Sequence, residues 1–144
     1  MDDKAMGLLG LMRRAGAIQI GEDNTGETVR AGRARLLLLA ADAPENAVQR
    51  AERFSYGRRV LTVPLDYTRG ELGHALGVSG CTMAAVTDIG FADALMSALK
   101  LQQPEKYGEL ADIMRQRQQK ALRRKREKAA CKGGKRNARR RTDA

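Results

Sequence analysis

The chain has 144 residues, which is enough for one domain with a sizeable core. Residues 1–100 carry 12 Lys and Arg against 12 Asp and Glu, whereas residues 101–144 carry 15 against 5, so the whole net charge of +10 lies in the last third. Two cysteines without a CxxC pair exclude a disulfide framework, and no apolar run approaches the roughly 20 residues that span a membrane. We expect a cytoplasmic protein without membrane contact, in which a near-neutral domain (1–100) precedes a basic C-terminal extension (101–144).

Helical and extended patterns alternate along residues 1–100. The predicted helices cover residues 4–15, 22–31, 44–57, 68–76 and 88–99, and the predicted strands cover residues 17–20, 36–40, 60–65 and 81–86. The run at 36–40 is apolar throughout, as is typical of an interior strand covered by helices on both faces. Pro64 favours a sheet edge for the strand at 60–65. The alternation predicts an α/β fold, a three-layer α/β/α sandwich with a four-stranded mixed sheet.

The composition changes after residue 104. Residues 107–130 predict a helix with a thin apolar stripe among arginine, lysine and glutamine. From Cys131 onward the chain is basic and broken by glycine, and we expect it to be disordered. A charge run is often only a solvated face, but a net charge of +10 in this extension favours contact with nucleic acid. The expected phosphate contacts are Arg123, Arg124, Lys125, Arg126, Arg139, Arg140 and Arg141.

Signatures of an enzyme are poor. The single histidine, His74, lies on a predicted helix, where a surface position is more common than a catalytic one. One histidine and two distant cysteines do not form a metal site. The chain has neither a GxxxxGK[ST] loop nor a G-x-G-x-x-G turn after a strand. We therefore expect no catalysis, no metal, no cofactor and no small-molecule substrate.

The turn at Gly21 and the polar helix after it stand out between two apolar strands. The first N–H groups of a helix lack internal partners and lie at the positive end of its dipole, so they can meet a phosphate or a base edge. Asp23, Asn24 and Glu27 stand on the first turns of this helix. Acidic and amide residues at a helix start are ordinarily capping groups, and the spacing alone favours capping over RNA contact.

Several motifs in combination resemble the kink-turn-binding ribosomal protein family and, more narrowly, its bacterial YlxQ-like branch. They are the run LLGLMRRAGAIQIGEDNTGETVRAGRARLLLLAADAPEN, the ELGHALG helix and the ending MAAVTDIGFADAL. The resemblance covers about residues 7–99. It implies an α/β/α sandwich and non-catalytic binding of structured, kink-turn-like RNA, with ribosomal or other structured RNA and the ribosome as partners.

The resemblance also implies where RNA binds, namely at the start of the second helix and at the loop before the last strand. Glu27 stands where family members often carry a lysine, and the arginines just beyond can offset the acidic residues if they share one face. The RNA-binding residues expected on this basis are Gly21, Asp23, Asn24, Glu27, Arg30, Arg33, Val78, Ser79, Gly80 and Cys81. Two alternatives remain: an RNA-substrate module that acts with a partner RNA-modifying enzyme, and a protein-interaction module without RNA specificity.

Overall fold

The computed structural model describes the backbone of residues 4–143 and the side chains of residues 4–130. Within this part, helices and strands alternate in the predicted order. The elements are α1 (Lys4–Ala15), β1 (Ile18–Ile20), α2 (Glu22–Arg30), β2 (Leu36–Leu39), α3 (Glu45–Ser55), β3 (Leu61–Pro64), α4 (Arg69–Leu76), β4 (Met83–Val86), α5 (Ile89–Gln102) and α6 (Pro104–Asp143).

The four strands form one mixed sheet in the order β1-β4-β2-β3. Strands β2 and β3 run parallel, with Leu36 opposite Leu61, whereas β4 runs antiparallel to both β1 and β2. Every residue of β2 is buried, which confirms its predicted interior position. Pro64 lies on β3 at the edge of the sheet, where the missing N–H of proline breaks no interior ladder.

Alternate side chains of β2 enter two separate apolar clusters. Leu36 and Leu38 pack with buried residues of α1, α4, α5 and α6, whereas Leu37 and Leu39 pack with buried residues of α2 and α3. This alternation follows from the two-residue period of a strand. The sheet is therefore covered on both faces, and the predicted α/β/α sandwich is confirmed.

Helix α2 meets the rest of the protein through small residues. Thr25, Gly26, Thr28 and Val29 are buried, and the Thr28 hydroxyl donates to the Asn24 carbonyl oxygen at 2.7 Å. A Cβ on Gly26 would lie 2.7 Å from the Phe54 ring, so α3 approaches α2 at the glycine. Small buried residues thus hold this polar helix against the sheet without an apolar stripe.

The first turns of α6 belong to the core of the domain. Tyr107, Ala111 and Met114 are buried, and the Tyr107 hydroxyl donates to the Pro64 carbonyl oxygen at 2.7 Å. Arg115 Nε lies 2.9 Å from an oxygen of Asp93, a buried carboxylate on α5. The packed unit therefore continues past residue 100, where the sequence placed the end of the domain.

The far end of α6 also differs from expectation. The sequence predicted disorder from Cys131, but the helical backbone continues to Asp143. Two glycines inside this segment each oppose a helix by about 1 kcal/mol, whereas the surrounding alanine, lysine and arginine are good helix formers. The side chains of residues 131–143, which include Arg139, Arg140 and Arg141, lie outside the described residues.

Candidate nucleic-acid interface

The candidate site begins at Gly21, which joins β1 to α2. Its φ of 98° lies in a region that residues with a Cβ rarely adopt, and glycine allows the strand to turn at once into the helix. Gly21 is the N-cap, and none of the described side chains caps α2. The capping role predicted for Asp23, Asn24 and Glu27 is therefore wrong as regards side-chain hydrogen bonds. The first N–H groups of α2 are left without capping partners.

Asn24 presents its amide at this open helix end. Its Nδ2 donates to the Ile20 carbonyl oxygen at 2.9 Å, across the Gly21 turn. The side chain is exposed, and within the described residues no hydrogen bond reaches its Oδ1. The amide is thus held in one orientation by the end of β1, with an acceptor oxygen available to a base-edge donor.

The loop before β4 meets the same turn. Cys81 is buried, and its thiol donates to the Met83 carbonyl oxygen at 3.2 Å, while the Gly21 N–H donates to the same oxygen at 3.0 Å. One carbonyl at the start of β4 therefore joins the α2 turn to the loop. Ser79 and Gly80 are exposed on that loop, and Val78 is half-buried.

Helix α4 packs directly against the loop of residues 78–81. Gly77 ends this helix in the left-handed conformation, with φ of 76°. A Cβ on Gly73 would lie 2.6 Å from Gly80 Cα, so the loop rests directly on the helix backbone. The Arg69 carbonyl oxygen accepts from the Cys81 N–H at 3.1 Å. The loop position is therefore determined by backbone contacts at both ends of α4.

The Cys81 thiol has a structural role. Burial raises the pKa of this thiol, although the neighbouring Gly21 N–H opposes the shift. A raised pKa keeps the sulfur in its neutral form, which is a poor nucleophile. Cys81 therefore contributes packing and a weak hydrogen bond to the site.

An arginine that the sequence did not single out offsets much of the acidic charge. Arg50 on α3 lies 3.3 Å from Glu22 Oε1 and 3.4 Å from Asp23 Oδ1, and its guanidinium stacks over the Phe54 ring at 5.4 Å. Glu27 is exposed, and within the described residues no ion pair includes it. Because the pairing joins separate helices, local sequence spacing did not reveal Arg50.

Comparisons with known proteins place this geometry in a family. Over 92 residues the chain is 37% identical to RNA-binding protein YlxQ of Bacillus subtilis, and the match covers 64% of this chain and 91% of that protein. The chain belongs to the YlxQ family. Over 94 residues it is also 31% identical to large ribosomal subunit protein eL8 of Haloquadratum walsbyi, with 64% and 78% covered. These matches confirm the predicted resemblance.

Solved structures share the fold of this YlxQ-family protein. A protein of unknown function from Bacillus halodurans superposes with a TM-score of 0.64 and 25% identity, covering 69% of this chain and 99% of the other. A 15.5-kD RNA-binding protein from Giardia lamblia superposes with a TM-score of 0.57 and 21% identity, covering 68% and 87%. No protein-family model matches the chain.

The remaining predicted site residues of this YlxQ-family protein lie elsewhere. Arg30 ends α2 about 12 Å along the helix from Glu22, given the rise of 1.5 Å per residue. Arg33 is exposed in the connection to β2, at the end of the sheet opposite Met83. The structure thus joins Gly21 to the loop through the Met83 carbonyl oxygen, holds Asn24 at the Gly21 turn, and separates the two arginines from them.

The structure describes the side chains of only some of the predicted tail contacts. The described cations of this group are exposed on α6, namely Arg123, Arg124, Lys125 and Arg126. His74 is exposed on α4. Within the described residues, no group of three or more His, Cys, Asp or Glu side chains is arranged to hold a metal ion, and no helix is both long and apolar enough to cross a membrane.

Proposed function

We propose that this YlxQ-family protein is a non-catalytic RNA-binding protein that associates with ribosomal or other structured RNA. The main support for this proposal is the 37% identity of the chain to a relative named RNA-binding protein YlxQ, over 91% of that relative. The match to a large ribosomal subunit protein supports the ribosomal character of the partner RNA. The finer parts of the proposal concern the RNA shape and the residues that contact it.

The recognition surface in this proposal consists of the start of α2 and the loop of residues 78–81. We call it the Gly21 surface. Its support is the shared Met83 carbonyl oxygen, which holds the Gly21 turn and the Cys81 loop side by side. The surface offers uncapped helix N–H groups for phosphate or base edges and an oriented Asn24 amide for a base. Such a rigid, two-part surface suits a sharply bent RNA that presents its backbone and unpaired base edges together.

Charge supports shape recognition over simple electrostatic attraction at this surface. Arg50 pairs with Glu22 and Asp23, whereas Glu27 is a carboxylate on the exposed side of α2 that pairs with no described cation. A carboxylate repels phosphate but can accept from guanine N–H donors. The basic extension then supplies sequence-independent affinity and a faster association rate.

A titration with two RNAs tests the proposal. Full-length protein is titrated into a fluorescent kink-turn RNA and into the same RNA without its G·A pairs. We expect both to bind, with a preference for the kink-turn. Asn24→Ala should reduce that preference about tenfold, because a well-placed amide contributes roughly 1–3 kcal/mol of discrimination. Gln116→Ala, an exposed amide on α6, is the matched control and should retain the preference.

The contribution of the extension is measured separately. Replacement of Arg123, Lys125 and Arg126 by glutamine in the full-length protein should weaken the binding of both RNAs equally. It should also reduce the slope of log affinity against log salt concentration by about one per lost contact. If the wild type shows no preference between the RNAs, kink-turn recognition is wrong. If it binds neither RNA, the protein-interaction alternative replaces the proposal.

A further inference from the structure

A second surface lies at the opposite end of the sheet, where the chain forms a strongly cationic cleft. The cleft has a volume of about 400 Å³ and lies between the end of α2, the connection from α3 to β3, and the middle of α6. Among the described residues that line it, seven are lysine or arginine and none is acidic. Arg30 and Arg35 come from the α2 side, and Arg58 and Arg59 come from the α3–β3 connection.

Helix α6 contributes the other wall of this cationic cleft. Its lining residues are spaced by three or four, so they share one face of the helix. Met114 on this face is buried and anchors α6 to the core, and Arg117, Lys120 and Arg124 follow it over the cleft. The part of the chain that carries the net charge therefore faces two arginine-bearing segments of the domain.

The cleft cations have no acidic partner in the described part of the chain. Within residues 4–130, no ion pair joins any of them to an aspartate or a glutamate. Two are held by backbone instead: Arg58 Nη1 donates to the Phe54 carbonyl oxygen at 3.0 Å, and Arg117 Nη1 donates to the Arg59 carbonyl oxygen. Burial lowers the pKa of Arg117, and the charge of Arg59 lowers it further. Like charges are thus gathered and oriented without a compensating carboxylate among residues 4–130, which favours the binding of an anion.

The cationic cleft and the Gly21 surface lie at opposite ends of β4. The Arg35 N–H donates to the Val86 carbonyl oxygen at 2.7 Å, whereas the Gly21 N–H donates to that of Met83 at 3.0 Å. Helix α2 connects the two surfaces, since it begins after Gly21 and ends at Arg30, which lines the cleft. About 12 Å of helix therefore separates them, a distance that one folded RNA spans with two of its backbone segments.

We propose that the cationic cleft is a second RNA site, which binds the phosphodiester backbone without reading its sequence while the Gly21 surface reads shape. This inference rests on the proposed function, because RNA is the common ligand. Backbone is favoured over a small anion because the cleft continues along α6 into further exposed cations. From Arg117 to Ala130 the helix extends for about 20 Å, which exceeds the size of a single nucleotide.

A charge-neutralising variant of the full-length protein tests the cleft. Arg35→Gln, Lys120→Gln and Arg124→Gln together remove three exposed cations from two walls. Lys4→Gln, Arg13→Gln and Arg53→Gln form the matched control. These exposed residues lie outside the cleft, and their substitution removes the same charge. Circular dichroism and thermal melts establish that both variants fold as the wild type does.

Both variants are titrated with the kink-turn RNA and the RNA without G·A pairs, over a range of salt concentrations. We expect the cleft variant to bind both RNAs about tenfold more weakly, and its salt slope to fall by about three, one per lost phosphate contact. The control should keep most of its affinity and slope. Equal effects of the two variants would overturn the proposal.

Two further outcomes separate this proposal from its alternatives. The ratio of the affinities for the two RNAs reports on the Gly21 surface. If the wild type shows no preference but the cleft variant binds more weakly, kink-turn recognition is refuted and the cleft is supported. Tripolyphosphate is titrated by calorimetry at constant ionic strength to test for a small anion. If the cleft variant loses tripolyphosphate binding but keeps wild-type RNA affinity, the cleft belongs to a small polyphosphate and the RNA assignment is wrong.

Discussion

Gly73 offers a direct test of how helix α4 positions the loop of residues 78–81. A Cβ at this position would lie 2.6 Å from Gly80 Cα, 2.8 Å from Gly80 N and 2.9 Å from the Val78 carbonyl oxygen. Carbon atoms pack best at about 3.5–4.0 Å, so Gly73→Ala must displace the loop or the helix by about 1 Å. All three atoms are backbone, and a rotamer change therefore cannot relieve the overlap.

The expected loss of stability is the difference between two effects. Alanine inside a helix is favoured over glycine by about 1 kcal/mol, whereas overpacking of this kind costs about 1–3 kcal/mol or somewhat more against rigid backbone. We expect a net loss of about 1–2 kcal/mol. For a domain of this size each kcal/mol shifts Tm by about 3–4 °C, so Tm should fall by about 3–8 °C.

Gly7→Ala on α1 is the matched control. No atom of the described residues lies within 4 Å of a Cβ at this position, so the variant should gain only helix propensity and stabilise the protein by about 0.5–1 kcal/mol. Both variants are melted by circular dichroism and titrated with the kink-turn RNA and its control. Gly73→Ala should also reduce the kink-turn preference, because the loop moves. A Tm that rises in Gly73→Ala as it does in Gly7→Ala would refute the reasoning.

Three side chains elsewhere in the protein make separate predictions. Tyr107→Ala should lower the free energy of unfolding, measured in urea, by about 3–5 kcal/mol. Leu101→Ala is the control, because Leu101 is 77% exposed, and it should change that free energy by less than about 0.5 kcal/mol. Equal effects would show that α6 does not contribute to the core. Glu27→Lys should tighten kink-turn binding and increase the slope of log affinity against log salt concentration by about one. An unchanged affinity would show that the RNA site does not include this face of α2. In a Cys131→Ser background, a thiol reagent should label folded Cys81 more slowly than the unfolded chain, because burial raises the thiol pKa. Since the unfolded thiol ionises first, stability should also fall as pH rises above the ordinary thiol pKa; rapid labelling of the folded protein would contradict the assignment.

Local patterns were sufficient to predict the elements of the sandwich. The unbroken LLLL of β2 required burial on both faces, and Pro64 required an edge, because each property belongs to the residues themselves. Gly21 likewise marked the turn at which α2 begins, since its φ of 98° is accessible mainly to glycine. These predictions depended on side-chain period and backbone preference, which act over a few neighbouring residues.

Contacts between distant residues were beyond the reach of the same patterns. The thin apolar stripe of α6 did not reveal that Tyr107 enters the core, because the partner carbonyl of Pro64 lies 43 residues away. Arg50 is likewise 28 residues from Glu22, and its pairing depends on how α3 packs beside α2. The boundary of the packed domain and the charge of the Gly21 surface were therefore decided by packing.

The sequence by itself determined the order of the elements, the family resemblance and the concentration of net charge in the last third of the chain. Only the tertiary structure decided where that charge lies, because α6 folds back against Arg58 and Arg59. It also separated Arg30 from Gly21, which the sequence had grouped on one helix. Composition counts charges along the chain, whereas an electrostatic surface depends on which segments the fold brings together in space.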